Sequence, residues 1–206
     1  MVVGIAGPYC SGKNEVAGRL VERYGFSDID VDRVGHEALI RRKEDVVVEF
    51  GSGIVGGGGE IDRQALGRIV FGDRERLEAL ERIVHPEMVR IVSAEVKARP
   101  GERLLINAAL LVYMRLDELC DAVIAVHAPA IVRVFRALRR DGHSFGAIRR
   151  RMRRQRGLKF HSDRVDTCTV RNVGTRRLLD RRVNRIARSL GLAECRTEFK
   201  QDNGSS

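Results

Sequence analysis

Short apolar runs alternate along the chain with longer stretches in which apolar residues recur every third or fourth position. Met1–Ala6 contains the β-branched run VVGIA bounded by glycine and predicts a buried strand. From Glu15 to Tyr24 the apolar Val16, Ala17, Leu20 and Val21 fall at helical spacing. Phe26–Val31 predicts a second strand, Leu104–Leu111 and Ala122–Ala128 two further buried ones, and Cys168–Val170 a weaker one. Helical patterns cover Val34–Phe50, Arg63–Phe71, Arg74–Ile83, Pro86–Ala98, Ile131–Arg140, Phe145–Arg156 and Arg176–Leu190. Strands alternating with helices predict an α/β fold with a parallel sheet covered on both faces. The stretch 34–100 is helical without a strand, which marks an insert beside the sheet. Within it, the four glycines Gly56–Gly59 predict a loop. The end of the chain, 193–206, finishes in QDNGSS and predicts a flexible tail.

Composition narrows the classes. The 206 residues, 43% hydrophobic and 32% charged, suit one compact domain with a small inserted subdomain and exclude wholesale disorder. No apolar run approaches the ~18–20 residues of a membrane span, and the N-terminus lacks the basic start and apolar stretch of a signal peptide. A cytosolic protein with no membrane partner is expected. Cys10, Cys120, Cys168 and Cys195 form no C-x-x-C pair, so reduced thiols are expected rather than a zinc site or a disulfide framework.

The formal net charge is +10, and all but five of the 38 basic residues are arginine. Between Arg136 and Lys159 nine arginines and one lysine stand against one acid, Asp141. Such a stripe can neutralise a nucleic-acid backbone, or two or three of its arginines can clamp one polyphosphate. Aromatic residues make up 5% of the chain, and only Phe145 and Phe160 lie within the basic segment or at its edge. The stacking half of a single-strand binder is therefore missing, and nucleic acid is not the expected partner.

Gly7-Pro-Tyr-Cys-Ser-Gly12-Lys13 has the form G-x-x-x-x-G-K between a predicted strand and a predicted helix. Glycines let the backbone curl so that amide groups point at phosphate oxygens, the helix N-terminus adds partial positive charge, and the lysine reaches the terminal phosphates. The next residue is Asn14, where a Mg²⁺-ligating Ser or Thr is usual; its amide oxygen is a neutral hard donor for the ion or one of its waters. Further on, Asp28-Ile-Asp30-Val-Asp32 ends the second predicted strand, and period two puts its three carboxylates on one face. Ligands of open α/β sheets gather at that end. Asp32 there is either a base for a hydroxyl acceptor or the N-cap of the following helix.

Taken in order, the G-x-x-x-x-G-K loop, Asp30-Val-Asp32, Phe50-Gly51, Gly59-Glu-Ile61-Asp62-Arg63 with Leu66 and Phe71, then Leu80-Glu-Arg-Ile83 and His85-Pro86, make the sequence resemble the dephospho-CoA kinases over residues 3–190. The elements between 59 and 86 separate that family from adenylate and shikimate kinases. The resemblance implies a P-loop, nucleotide-kinase-like fold with a five-stranded parallel sheet. Its core would be 1–33 and 101–192, its acceptor-binding helical insert 34–100, and its arginine-rich lid about 140–158. It also implies phosphorylation of the ribose 3′-hydroxyl of dephospho-CoA by ATP with Mg²⁺, the last step of coenzyme A synthesis, with small molecules as partners. The sequence leaves the oligomeric state open, and a monomer is the favoured expectation.

Residue by residue, the resemblance assigns ATP binding to Gly7, Cys10, Ser11, Gly12, Lys13, Asn14 and Glu15, with Asn14 the candidate Mg²⁺ ligand. Arg136 and Arg140 fall on the arginines that open the lid, Gln155 on the lid glutamine, and Asn172 and Gly174 on the loop near the adenine. Asp32 falls on the aspartate that activates the hydroxyl and Asp30 on its partner, while His85 and Pro86 fall on the acceptor side. Lys13, Asp32 and Arg140 form the expected catalytic set. The chain departs from the family at Asn14 and at Ala109-Leu-Leu-Val-Tyr113, where Pro-Leu-Leu-Phe-Glu is usual. A non-catalytic nucleotide-binding relative, or a kinase for another nucleoside-like acceptor, is the alternative.

Overall fold

Five short β-strands, the central three of them strongly apolar, line up in parallel at the centre of the molecule. They are β1 (Val2–Ala6), β2 (Ser27–Asp30), β3 (Leu104–Asn107), β4 (Ala122–His127) and β5 (Thr167–Arg171), in the order β2-β3-β1-β4-β5. The computed structural model describes residues 1–141 and 145–194, except for the side chains of Arg140 and Asp141. The expectations for Arg140 as a catalytic group, for Cys195 and for the tail from 195 onward lie outside the described residues.

A parallel sheet buried on both faces needs apolar side chains at successive positions, and alternation then sorts them between two cores. Val3, Ile5, Leu105 and Ile124 point to the face covered by α1 (Lys13–Tyr24) and α8 (Arg176–Ser189). Ala6, Leu104, Ile106 and Val123 point to the face covered by the insert. Gly4 faces the same way, because a Cβ there would collide with Leu111 Cδ2. Burying each larger member of these cores contributes about 1.5–3 kcal/mol.

The insert consists of α2 (Val31–Arg41), α3 (Lys43–Phe50), a 3₁₀ turn at Ser52–Ile54, α4 (Arg63–Val70) and α5 (Arg74–Lys97). Asp30, Asp62 and Asp73 cap α2, α4 and α5 by accepting backbone N–H groups one to two residues into each helix. After β4 come α6 (Ala130–Asp141) and α7 (Phe145–Arg154), the latter carrying five arginines of the basic run.

Several boundaries differ from the periodicity. The single helix expected over Val34–Phe50 is two, broken at Arg42. An unbroken helix that buries Val34 and Ala38 would turn Arg42 and Asp45 inward as well, whereas the break puts Val46 in the core. The two helices expected at Arg74–Ile83 and Pro86–Ala98 are one, running through Pro86. No capping residue precedes that proline, and buried side chains on both sides of it (Ala79 and Val84, then Met88, Ile91 and Val92) hold the helix together despite the lost hydrogen bond. The strand expected over Leu104–Leu111 stops at Asn107. Its neighbours β1 and β2 end at the same level, so the residues beyond have no ladder to join.

Glu87 joins α2 to α5. Its carboxylate accepts from Arg90 Nε (2.8 Å) and Nη2 (2.7 Å) and from Arg41 Nη1 (3.2 Å). These hydrogen bonds, Arg90's first, hold the carboxyl down to about 2. In the unfolded chain it titrates near ~4.3, so its contribution is present above that pH and is lost as pH falls toward the folded value. Glu87→Gln is expected to lower the urea midpoint at pH 7, with the gap to the parent closing as pH approaches about 2. Equal midpoints at pH 7 would show that the clamp contributes nothing.

Candidate active site

The sheet changes direction beside β1: the chain leaves β1 for the β2 edge and leaves β3 for β4, on the other side. Ligands of such sheets bind outside the carboxyl ends of the strands at this point. Ala6, Asp30, Asn107 and His127 end their strands there, with Asp30 in register with Asn107.

From β1 the chain enters the Gly7–Lys13 loop and then α1. A Cβ on Gly7 would stand 2.6 Å from the Val126 carbonyl and 2.7 Å from Ser11 Oγ, so only glycine lets the loop pass so close to β4. Cys10 and Gly12 both have positive φ (59° and 86°), the curl that turns the chain back onto the helix axis. Ser11 is buried, its N–H donating to the Pro8 carbonyl, and its Oγ has no hydrogen-bond partner among the described residues.

Asn172 and Arg136 brace this loop. Asn172 Nδ2 donates to the Ser11 carbonyl (3.0 Å), and a Cβ on Gly12 would collide with it. Arg136 donates to the same carbonyl (3.1 Å) and, through Nη2, to the Asn172 carbonyl (3.1 Å). The expected adenine-side asparagine and the first lid arginine therefore grip the backbone of the phosphate loop. Glu15 contacts Asn172 Nδ2 at 3.5 Å and Arg19 at 3.4 Å. Gly174 has φ 97° and shapes the loop after β5. A pocket of about 620 Å³ opens between the loop, at Cys10, Gly12 and Asn14, and α6, at Val132, Phe135 and Arg136.

On the other side of the loop lies Lys13. Its Nζ donates to Asn107 Oδ1 (2.7 Å) and to Asn14 Oδ1 (3.2 Å), and Asn107 Nδ2 approaches Asn14 Oδ1 and Asp28 Oδ2 at 3.4 Å each. Burial lowers the pKa of the Lys13 ammonium, against the pull of Asp32, Asp30 and Asp28. Burial likewise raises the Asp28 carboxyl, with Asp30 adding to it and Asn107 and Lys13 opposing. A partly desolvated cation, three carboxylates and a helix N-terminus thus share one corner, which can take a polyphosphate on one side and a hydroxyl on the other.

Asp32 is brought to this corner by a different route from the one its spacing predicts. β2 ends at Asp30 and a helix starts at Val31, so Asp32 is exposed in the first turn of α2 rather than on a strand face. The capping role belongs to Asp30, which accepts the Asp32 N–H at 3.0 Å. His85 and Pro86 lie apart from the cluster on α5. The His85 ring meets Tyr113 edge-on at 5.8 Å and burial lowers its pKa; among the described residues no hydrogen bond ties it to Lys13 or the aspartates. Tyr113, the residue at which the resemblance expects glutamate, donates its hydroxyl to Glu81 Oε2 at 3.3 Å, which brings a carboxylate from α5 beside it.

Two contributors escaped the sequence reading. Asn107, a buried asparagine closing the apolar run LLIN, is legible as a polar residue where a parallel strand ends. Arg133, whose Nε donates to the Tyr9 carbonyl at 2.7 Å, has no signal beyond its place on α6.

The family model CoaE: Dephospho-CoA kinase matches residues 1–175. The dephospho-CoA kinase of Borreliella burgdorferi is 35% identical over 128 residues, and that alignment spans 62% of either chain. The one from Thermus thermophilus is 31% identical over 190 residues, 92% of each chain. Among solved structures, a Thermus thermophilus protein superposes with a TM-score of 0.75 at 30% identity, covering 92% of this chain and 95% of its own. The dephospho-CoA kinase of Campylobacter jejuni, at TM-score 0.58 and 20% identity over 92% and 96%, shares the fold. No helix among the described residues is long and apolar enough to cross a membrane. The match of the family model over residues 1–175, together with a relative 31% identical over 92% of each chain, establishes that it belongs to the dephospho-CoA kinase family.

Proposed function

We propose that this chain transfers the γ-phosphoryl group of ATP to the ribose 3′-hydroxyl of dephospho-CoA, giving coenzyme A and ADP. The observation that carries the reading is the corner at the switch point, where Lys13 opens α1 within the field of Asp28, Asp30 and Asp32. Loop amides and the N-terminus of α1 receive the phosphates, whose oxygens replace Asn107 and Asn14 as partners of Lys13. The pocket beside Val132 and Phe135 has an apolar wall suited to the nucleobase.

The insert, 34–100, receives the acceptor, with His85 and Pro86 on its wall, and the ribose hydroxyl approaches Asp32. Asp32 takes the hydroxyl proton as the oxygen bonds to the γ-phosphorus; the bond to the β,γ-bridging oxygen breaks and ADP departs with that electron pair. Lys13, with Arg140 from the start of the lid segment 140–158, neutralises charge on the moving group, and closure of the lid excludes water. Asn14 Oδ1, beside the phosphate loop and next to Lys13, is a hard oxygen donor of the type Mg²⁺ takes together with phosphate oxygens and water, so it fits that ion, while among the described residues no three carboxylates gather to hold one by themselves. Bound there, Mg²⁺ would offset phosphate charge, with Asn14 holding it or one of its waters.

A coupled assay with ATP, Mg²⁺ and dephospho-CoA is expected to yield the 3′-phosphate; nucleotide binding without transfer would mark a non-catalytic relative instead. Asp32→Asn is expected to cut turnover by roughly two orders of magnitude or more while ATP affinity stays within about threefold, as for loss of a general base. Turnover close to the parent's would remove Asp32 from that role. Lys13→Ala is expected to lose turnover and weaken ATP binding in calorimetry, and an unchanged affinity would contradict the loop assignment. Asn14→Thr tests the metal position: a rate near the parent's shows that the amide serves there, and a large gain shows that it serves poorly.

A further inference from the structure

The helix that carries the basic run is weakly anchored. Of the ten residues of α7, Ile148 is the one buried among those described, and the exposed positions are mostly arginine. Two aromatic residues, one on each side of the cleft, grip the C-terminal half of this helix. On the phosphate-loop side, Tyr9 donates its backbone N–H to Gln155 Oε1 (2.6 Å), and Arg151 lies 5.5 Å from the centre of its ring. On the insert side, the Arg154 guanidinium lies 5.0 Å from the centre of the Phe71 ring and donates to the Phe71 carbonyl.

Phe71 is unusual for a large apolar side chain at the end of a core helix, being 60% exposed. Its ring is seated rather than loose. A Cβ on Gly67, one turn earlier in α4, would fall 3.2 Å from Phe71 Cε2, so the glycine is the notch in which the ring rests. Glycine in the middle of an eight-residue helix weakens that helix, and this notch gives it a use. One flank of the ring lies over α4 and the guanidinium of Arg154 lies over the ring, in the arrangement by which an aromatic quadrupole attracts a planar cation.

We propose that Phe71 is a positioning residue for the transfer reaction: seated on Gly67, it holds Arg154 and so fixes the arginine helix α7 to the insert, while Tyr9 fixes the same helix to the phosphate loop. The arginines are thereby stationed across the cleft in a defined register with both substrates. The inference rests on the kinase reading above and adds the residue that ties the lid to the acceptor side. A planar cation on a ring face depends on the π-system, so tyrosine replaces Phe71 and leucine, of similar bulk, does not.

The test compares the parent with Phe71→Leu and Phe71→Tyr, each also in an Arg154→Ala background. Two readouts are used: steady-state kinetics with ATP and dephospho-CoA, and limited trypsin digestion with mass-spectrometric mapping of cuts within 145–156. For Phe71→Leu the expectation is a kcat roughly tenfold lower with KM for ATP changed less than about threefold, cuts in α7 about fivefold faster, and an unchanged melting temperature. Phe71→Tyr is expected to match the parent, and Phe71→Leu to add nothing once Arg154 is alanine, the signature of a coupled pair. The proposal is overturned if Phe71→Leu digests and turns over like the parent, if tyrosine fails as badly as leucine, or if the leucine effect persists in full without Arg154. Digestion reads the position of α7 even in a chain that transfers nothing, so an inactive parent would defeat the proposed reaction while Phe71 is still decided by the protease.

Discussion

Lys13 is held in a place that water would not choose for it. Its ammonium is partly desolvated at the mouth of the sheet and leans on one strong neutral acceptor, Asn107 Oδ1, with the carboxylates of Asp32, Asp30 and Asp28 drawing it from the side. Burial outweighs those carboxylates, so the ammonium is short of the hydration it would have in water, and phosphate oxygens are strong acceptors that would replace it. The neighbouring structure serves this arrangement. β3 must end where β1 ends for Asn107 to reach the lysine, β2 must end there for Asp30 to start α2, and the loop must curl tightly enough for α1 to begin at Lys13.

The loop keeps its shape through side chains from distant parts of the chain. Asn172 and Arg136 both donate to the Ser11 carbonyl, Arg133 donates to the Tyr9 carbonyl, and Gln155 accepts the Tyr9 N–H. Four groups from α6, the segment after α7 and the end of β5 thus satisfy backbone atoms of a turn that cannot pair with a strand, as buried backbone polar groups require. They also make the loop a meeting point of α6, the segment after α7 and the loop after β5.

On the opposite side the insert is joined to the sheet as part of one core. Ile54, Leu66, Val70 and Val92 pack in the same cluster as Ile29, Leu104 and Ile106, and Glu87 ties α2 to α5. α2 carries Asp32 in its first turn and α5 carries His85 and Glu81, so the clamp sets the spacing of the two walls between which an acceptor would lie. The insert wall is built into this core, whereas α7, with Ile148 its one buried residue among those described, is held through the contacts of Arg151 with Tyr9 and of Arg154 with Phe71.

Much of this was legible along the chain. Continuous apolar runs such as AVIAVH have no other use than a strand buried on both faces, and G-x-x-x-x-G-K between a strand and a helix has a mechanism behind it, so the sheet, the phosphate loop and the helical insert could be read locally. What could not be read depended on partners remote in sequence. Whether the helix runs through Pro86 is decided by the packing of Val84, Met88 and Ile91; where β3 stops is decided by where β1 and β2 stop; and Asp32 leaves the strand because Asp30 caps the helix after it. Asn107 and Phe71 acquire meaning only when Lys13 and Arg154, each more than 80 residues away, are folded against them. Local sequence determined which elements form because propensity, periodicity and capping act over a few residues. The tertiary structure alone decided their ends and their partners, because those depend on contacts that no short window contains.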